Sequence, residues 1–396
     1  MKELSKLASA VQASTTLKVD ALFKQMKADG KDVVGFGAGE PDFDTPDNIK
    51  EAAYKAIRDG QTKYTPASGI PALRQAAADR LHADCGISYT PAQIVVASGA
   101  KHNIYVALQA LLDPGDEVIL PAPYWVTYAE AIRMAGGIPV VVYAPEACDF
   151  KITKEQLNAA VTEKTKLFIL NNPSNPTGML YSADELRALA DICIKYDLYI
   201  MSDEVYYRLV YDGRQFTSVA ALGDDVKERT ILVNGVSKSY AMTGWRIGYT
   251  ASNLRLADVM GNYLSHSTSS PSTISQFAAV EALNGPQESI FAMRDAFEQR
   301  RNYIVDRINA IDEVSCRKPE GAFYIMLNIE KLIGRTLGGM VINSADDFSL
   351  AFLESGMVAV VSCDGFGCSN FLRMTYAASM ESIKEGIDRL EKFVKG

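Results

Sequence analysis

The sequence predicts an α/β protein: a mostly parallel seven-stranded sheet in a large domain, with a smaller α+β domain beside it. Two observations carry this. Seven short apolar, β-branched runs lie between positions 93 and 251, most of them separated by stretches long enough to hold a helix. The polar, turn-forming segments fall directly after such runs, and in parallel sheets ligands gather at the carboxyl ends of the strands.

The runs are Gln93–Ala97, Glu117–Leu120, Ile138–Tyr143, Lys166–Leu170, Leu198–Ser202, Thr230–Asn234 and Ile247–Ala251. Between the first two, apolar residues recur at Ile104, Leu108, Leu111 and Leu112, a helical spacing that Asp113–Asp116 (DPGD) stops. The C-terminal third reads differently. Phe291–Ile311 is charged and helix-like, Ala322–Leu327 and Met357–Val361 read as strands, and Met380–Lys395 as an amphipathic helix. There is no internal repeat and no low-complexity linker. The expected division is a large domain at 47–285 and a small one built from both termini, 1–46 with 286–396.

Composition narrows the function. Over 396 residues, 48% are hydrophobic and 22% charged, ordinary values for a globular chain. A net charge of -8 argues against a broad nucleic-acid or anionic-membrane surface. Lys2, Glu3, Lys6, Lys18 and Asp20 interrupt the apolar core a signal peptide needs, and the uncharged stretch Val259–Val280 is too polar for a membrane span. A cytoplasmic protein is expected. The six cysteines form no CxxC pair and read as reduced thiols, and with only His82, His102 and His266 a metal site is not expected.

Five segments carry the chemistry. In Thr230–Gly248 (TILVNGVSKSYAMTGWRIG), Lys238 stands among the small residues Gly235, Ser237 and Ser239, which leave room for a flat ring. A lysine so held can lose its proton and attack a carbonyl, while Arg246 grips an anion such as phosphate. Alone, the pair better suits a solvated loop. In Leu198–Tyr207 (LYIMSDEVYY), Asp203 ends a buried-looking strand, where a carboxylate needs a partner. A protonated pyridine nitrogen of an electron-sink cofactor is one such partner, with Tyr206 placed for the ring oxygen; a helix cap is another.

In Asn171–Gly178 (NNPSNPTG), two prolines and a glycine rigidify the turn that carries Asn175, as they would any turn. Ser98–Lys101 (SGAK) places Gly99 at a helix start, where backbone N–H groups can meet a phosphate. Pro121–Tyr128 (PAPYWVTY) offers Trp125 for stacking on a planar ring or for core packing.

Together these segments resemble the class I/II pyridoxal-phosphate-dependent aminotransferases of fold type I, most closely their bacterial aspartate aminotransferase branch. The resemblance runs from Gly37–Pro46 (GAGEPDFDTP) to Phe371–Ala377 (FLRMTYA), and Gly235–Gly248 fits the family's cofactor-attachment signature throughout.

The resemblance implies pyridoxal 5'-phosphate held as a Schiff base on Lys238, which then moves the substrate's Cα proton. Asp203 would pair with the ring nitrogen, Asn175 and Tyr206 with the ring oxygen, and Trp125 with the ring face. Arg246, Ser237 and the Gly99, Ala100 and Lys101 backbone would hold the phosphate. Tyr64, in KYTPASG, resembles the tyrosine that reaches the neighbouring subunit's phosphate, implying a homodimer with shared active sites.

Arg373 matches the arginine for the substrate α-carboxylate, with Gly39, Trp125 and Asn175 beside it. Ser265–Thr273 has no counterpart of the arginine that another branch uses for a distal carboxylate; Lys101 matches the lysine used instead. The implied activity is transfer of the amino group of L-aspartate to 2-oxoglutarate by a ping-pong cycle. Aromatic amino acid or prephenate transamination is the alternative, and a carbon–sulfur lyase a further one. A cofactor-sensing regulator is disfavoured because little chain precedes Gly37. Two departures stand out. Gly235 occupies a place where the family often has a serine, so one phosphate hydroxyl contact is expected to be missing, and Val361–Gly367 (VSCDGFG) is less typical.

Overall fold

Strands β1 (Ile94–Ala97), β2 (Glu117–Ala122), β3 (Ile138–Tyr143), β4 (Thr165–Asn171), β5 (Tyr199–Asp203), β6 (Thr230–Gly235) and β7 (Gly248–Ala251) form one sheet in the computed structural model. Their order across it is β1-β7-β6-β5-β4-β2-β3. Only β7 runs against its neighbours. Every expected run is a strand, with ends displaced by at most two residues and Ile138–Tyr143 matched at both ends. The structure describes residues 2–9, 11 and 15–396; the parts of the expected small domain at 1, 10 and 12–14 lie outside the described residues.

Alternation along the strands explains why these runs are apolar throughout. Val95, Ala97, Val118, Leu120, Leu167, Ile169, Met201, Ile231 and Val233 pack in one cluster. Their neighbours Ile94, Val96 and Leu232 pack in a second, and Ile119, Phe168, Leu170 and Ile200 in a third. Both faces of the sheet are therefore buried, as parallel strands require. Helix α1 (Ala100–Leu111) buries Ile104, Leu108 and Leu111 and stops at Leu112, whose backbone is extended ahead of DPGD. Helix α2 (Thr127–Met134) follows β2.

The C-terminal part has its own core. Helix α3 (Glu288–Asn309) supplies Phe297, Ile304 and Ile308, and helix α4 (Met380–Lys395) supplies Ile383, Ile387 and Leu390. They share one core with an antiparallel sheet of β8 (Ser315–Cys316), β9 (Tyr324–Asn328), β10 (Val361–Ser362) and β11 (Phe371–Thr375), in the order β10-β11-β9-β8. The strand expected at Met357–Val361 is split. Val358–Ala359 pairs with Val34–Gly35 from the N-terminal part, while Val361–Ser362 turns to β11. An apolar run has no feature that marks such a change of partner. Among the described residues no helix is long and apolar enough to cross a membrane, and all six cysteines are free.

Candidate active site

The antiparallel direction of β7 decides where the expected site residues meet. Its first residues lie at the same edge as the last residues of β1, β4, β5 and β6, because Ala97 pairs with Gly248 and Gly235 with Gly248. Arg246, just before β7, is thereby brought to the start of α1.

At that point glycine is obligatory. Gly99 has φ +88°, and a Cβ there would lie 2.3 Å from a guanidinium nitrogen of Arg246. Gly248 is packed as tightly: its Cβ would meet the Ala100 nitrogen at 2.2 Å. Arg246 donates to the Ser98 carbonyl at 3.2 Å and to the Thr243 carbonyl at 2.9 Å. A guanidinium and the N-terminus of a twelve-residue helix thus converge, a ready anion site. Lys101 lies with its amine 4.9 Å from the Trp125 ring centre. Desolvation, then the Arg246 charge, holds that amine below the usual lysine range. Gly235 faces Gly248 across the strand pair, and a Cβ there would stand 3.0 Å from the Gly248 Cα and the Ile247 carbonyl. The absent serine hydroxyl is thus matched by a close backbone approach.

One step along the edge, Lys238 is half-buried and donates its amine to the Gly39 carbonyl. Burial pushes its pKa down to about 8 against the opposing pull of Glu40, and Arg373 and Arg246 add to the depression. Asp203, 3% exposed, ends β5. Its Oδ2 accepts from the Tyr128 hydroxyl at 2.6 Å, and its Oδ1 has only the Val205 N–H at 3.4 Å. Burial raises this carboxyl to about 6; the Tyr128 and Val205 hydrogen bonds and the Lys238 charge oppose the rise.

Asn171 ties the neighbouring turn to it. The Asn171 amide donates to the Asp203 carbonyl at 2.9 Å and its Oδ1 accepts from the Asn175 N–H at 2.7 Å. The Tyr206 hydroxyl lies 3.0 Å from that of Tyr324.

The opposite wall comes from both termini. Arg373, on β11, is 3% exposed. It donates to the Asn175 side-chain oxygen at 3.1 Å and the Gly37 carbonyl at 2.9 Å, while its Nε has no partner. Its guanidinium lies 4.6 Å from the Tyr324 ring centre and 5.2 Å from that of Phe366. Gly39 is close-packed too, since a Cβ would meet the Tyr324 hydroxyl at 3.1 Å. A cavity of about 620 Å³ adjoins this region, lined by Ser98, Lys101, Tyr124 and Arg246 and by Asp364 and Gly365 of the atypical segment.

Contacts chain Gly39 to Lys238, and Lys238 to the Tyr206 ring at 6.0 Å from its centre. Tyr324 joins Tyr206 to Arg373 and so to Asn175, Asn171 ties Asn175 to Asp203, Gly99 packs against Arg246 and Lys101 against Trp125. Tyr64 stands apart: it is 97% exposed. Tyr128, Asn171 and Tyr324 were not singled out from the sequence. Tyr128 lies within the PAPYWVTY segment and Asn171 within NNPSNPTG, so proximity to a motif was their only signal; Tyr324 had none.

The profile of the family described as aminotransferase class I and II matches residues 31–390. An aspartate aminotransferase of Bacillus sp. (strain YM-2) is 47% identical over 100% of both chains. An aspartate/prephenate aminotransferase of Cereibacter sphaeroides is also 47% identical, again over 100% of both. The crystal structure of the aspartate aminotransferase from Rhizobium meliloti is similar with a TM-score of 0.96 at 41% identity, covering 100% of this chain and 99% of that one. With the profile and these relatives spanning the strand-end motifs and the Arg373 wall alike, the chain belongs to the class I and II aminotransferases.

Proposed function

We propose that this enzyme moves the amino group of L-aspartate to 2-oxoglutarate, giving oxaloacetate and L-glutamate, by a ping-pong cycle on pyridoxal 5'-phosphate. The observation that carries the reading is the convergence of a depressed lysine, a buried aspartate and a buried arginine with an unpartnered Nε in one cleft. The residues fit the cofactor. Glycine at 99 and 248 lets the Arg246 guanidinium and the start of α1 approach each other closely, a pairing that suits a phosphate, with Ser237, Ala100 and Lys101 adjoining. Asp203 suits a ring nitrogen, Asn175 and Tyr206 a ring oxygen, and Trp125 a ring face.

When bound, the cofactor supplies an electron-withdrawing ring conjugated to the substrate's Cα. Lys238 attaches it and then acts on the proton of that carbon; a pKa near 8 keeps an uncharged fraction available at neutral pH. Asp203, as carboxylate, holds the proton on the ring nitrogen. Arg373 grips the α-carboxylate through its planar fork, and Lys101 offers a cation to the distal carboxylate. The exposed Tyr64 fits a role toward a partner's phosphate, so we assign a homodimer with shared active sites, in the cytoplasm. We divide the chain at 47–285 and 1–46 with 286–396; the confinement of the seven-stranded sheet to the first part supports this.

Aromatic or prephenate transamination is the second reading, favoured by the Trp125 ring beside the Lys101 amine and by the relative named aspartate/prephenate aminotransferase. The test is the absorption spectrum of purified protein, followed by L-aspartate without a keto acid. Bleaching of the yellow cofactor, reversed by 2-oxoglutarate, is expected. Indifference to aspartate with a response to phenylalanine moves the substrate to the second reading. A colourless protein that takes up no pyridoxal phosphate overturns both. Lys101→Ser is expected to depress aspartate turnover and spare aromatic turnover.

A further inference from the structure

We propose that Tyr128 is a positioning residue for the ring-nitrogen end of the site: its hydroxyl fixes one oxygen of Asp203 and turns the other toward the cofactor. The inference rests on the proposed pyridoxal-phosphate reading and adds a residue to it.

The geometry is specific. Tyr128 is 1% exposed, and its hydroxyl donates to Asp203 Oδ2 at 2.6 Å, a short charge-assisted bond. The second oxygen is left nearly free, with one N–H at 3.4 Å. A buried carboxylate with a single strong donor keeps one direction open for a further partner, here a protonated nitrogen. The donor also favours the charged form of an acid that burial pushes the other way.

Tyr128 has a second contact in the same assembly. Its ring meets Trp125 edge-on, with centroids 5.4 Å apart and planes at 87°, and its N–H donates to the Trp125 carbonyl at 2.9 Å. The first turn of α2 therefore sets the side chain proposed to cover the ring and the carboxylate proposed to hold its nitrogen.

The test is Tyr128→Phe, which keeps the edge contact and the volume and removes only the donor. Turnover of L-aspartate is expected to fall on the order of ten- to a hundredfold, the range for losing a hydrogen bond to a charged group, with KM changed less. Two further readouts separate positioning from packing. The nitrogen-15 shift of ring-labelled pyridoxal phosphate should move toward the unprotonated value in the variant, at a lower pH than in the parent. With a cofactor analogue carrying carbon in place of the ring nitrogen, parent and variant should turn over alike. A loss that persists with the analogue, or an unmoved nitrogen-15 shift, overturns the proposal. If the parent protein binds no pyridoxal phosphate, the failure belongs to the functional reading, and the parent spectrum reports it before any variant is made.

Discussion

The two walls of the cleft are built on different principles. One is the carboxyl edge of the main sheet, where Asn171, Asp203 and Val233 lie in adjacent register on three parallel strands. Lys238, Asn175 and Arg246 follow within a few residues of strand ends or starts. The other wall is assembled from single residues of distant segments: Gly39 near the N-terminus, Tyr324 on β9 and Arg373 on β11. Under the proposed function the first wall holds a resident cofactor and the second a passing substrate. A rigid parallel sheet suits the first task, and a separately packed antiparallel sheet suits the second.

Removing the reacting group of the first wall should have the largest effect. Lys238→Ala should lower aspartate turnover by at least about 10⁴-fold, the upper range for general acid–base assistance with loss of the attached nucleophile added. The same residue gives a pH test on the intact protein. Only the uncharged amine attacks, so attachment of pyridoxal phosphate to cofactor-free protein should quicken with pH and level off above about 8. A rate still rising beyond pH 10 would show an ordinary lysine and remove the depressed amine from the argument.

The second wall should answer in binding instead. Arg373→Lys keeps a charge but loses the planar fork, and its bonds to Asn175 and the Gly37 carbonyl. At roughly 1.5–3 kcal/mol for a hydrogen bond to a charged group, KM for L-aspartate should rise about ten- to a hundredfold. The visible spectrum of the bound cofactor should stay unchanged. A displaced cofactor absorption band in the variant would mean that the walls do not act separately.

The difference between the walls is also a difference in legibility. Motifs of the sheet edge are contiguous, so Lys238, Asp203, Asn175 and Arg246 could each be argued from a strand run and the few residues after it. The convergence of Arg246 with Gly99 was not readable that way, because it depends on β7 running backwards. Arg373 came from resemblance alone, since an arginine inside FLRMTYA has no local pattern of its own. Tyr324 sits in an apolar strand and reads as core. Its role comes from pairing with Tyr206, 118 residues away, and a one-dimensional pattern does not encode that separation.

Tyr324 is a joint between the walls, and a smaller effect should follow from cutting it. Tyr324→Phe removes the hydroxyl contact to Tyr206 and keeps the ring beside Arg373. A neutral hydrogen bond contributes about 0.5–1.5 kcal/mol, so kcat/KM should fall about two- to tenfold. If the loss appears wholly in KM, Tyr324 serves the substrate wall; if wholly in kcat, it serves Tyr206.

The smallest effect on activity is expected just behind Asp203. Glu204 is 1% exposed; its Oε1 accepts from Ser202 and Ser218, each at 2.8 Å, and its Oε2 has no partner. Burial pushes this carboxyl from its ordinary 4.5 up to about 8. A folded pKa above the unfolded one means that the folded state binds the extra proton. The stability contributed is whole below 4.5, declines as pH rises, and is lost once pH passes about 8. Glu204→Gln stays neutral throughout and should flatten the fall of melting temperature between pH 6 and 8 in cofactor-free protein, leaving turnover near the parent's. Asp203 adds a similar slope only up to about 6, and the depressed Lys238 adds an opposite one only above about 8, so the interval between them reads Glu204 against both. Parallel melting curves for parent and variant would mean that Glu204 finds a partner for its charge. The contrast between two adjacent carboxylates, one turned toward the cleft and one shut away from it, would then lose its electrostatic basis.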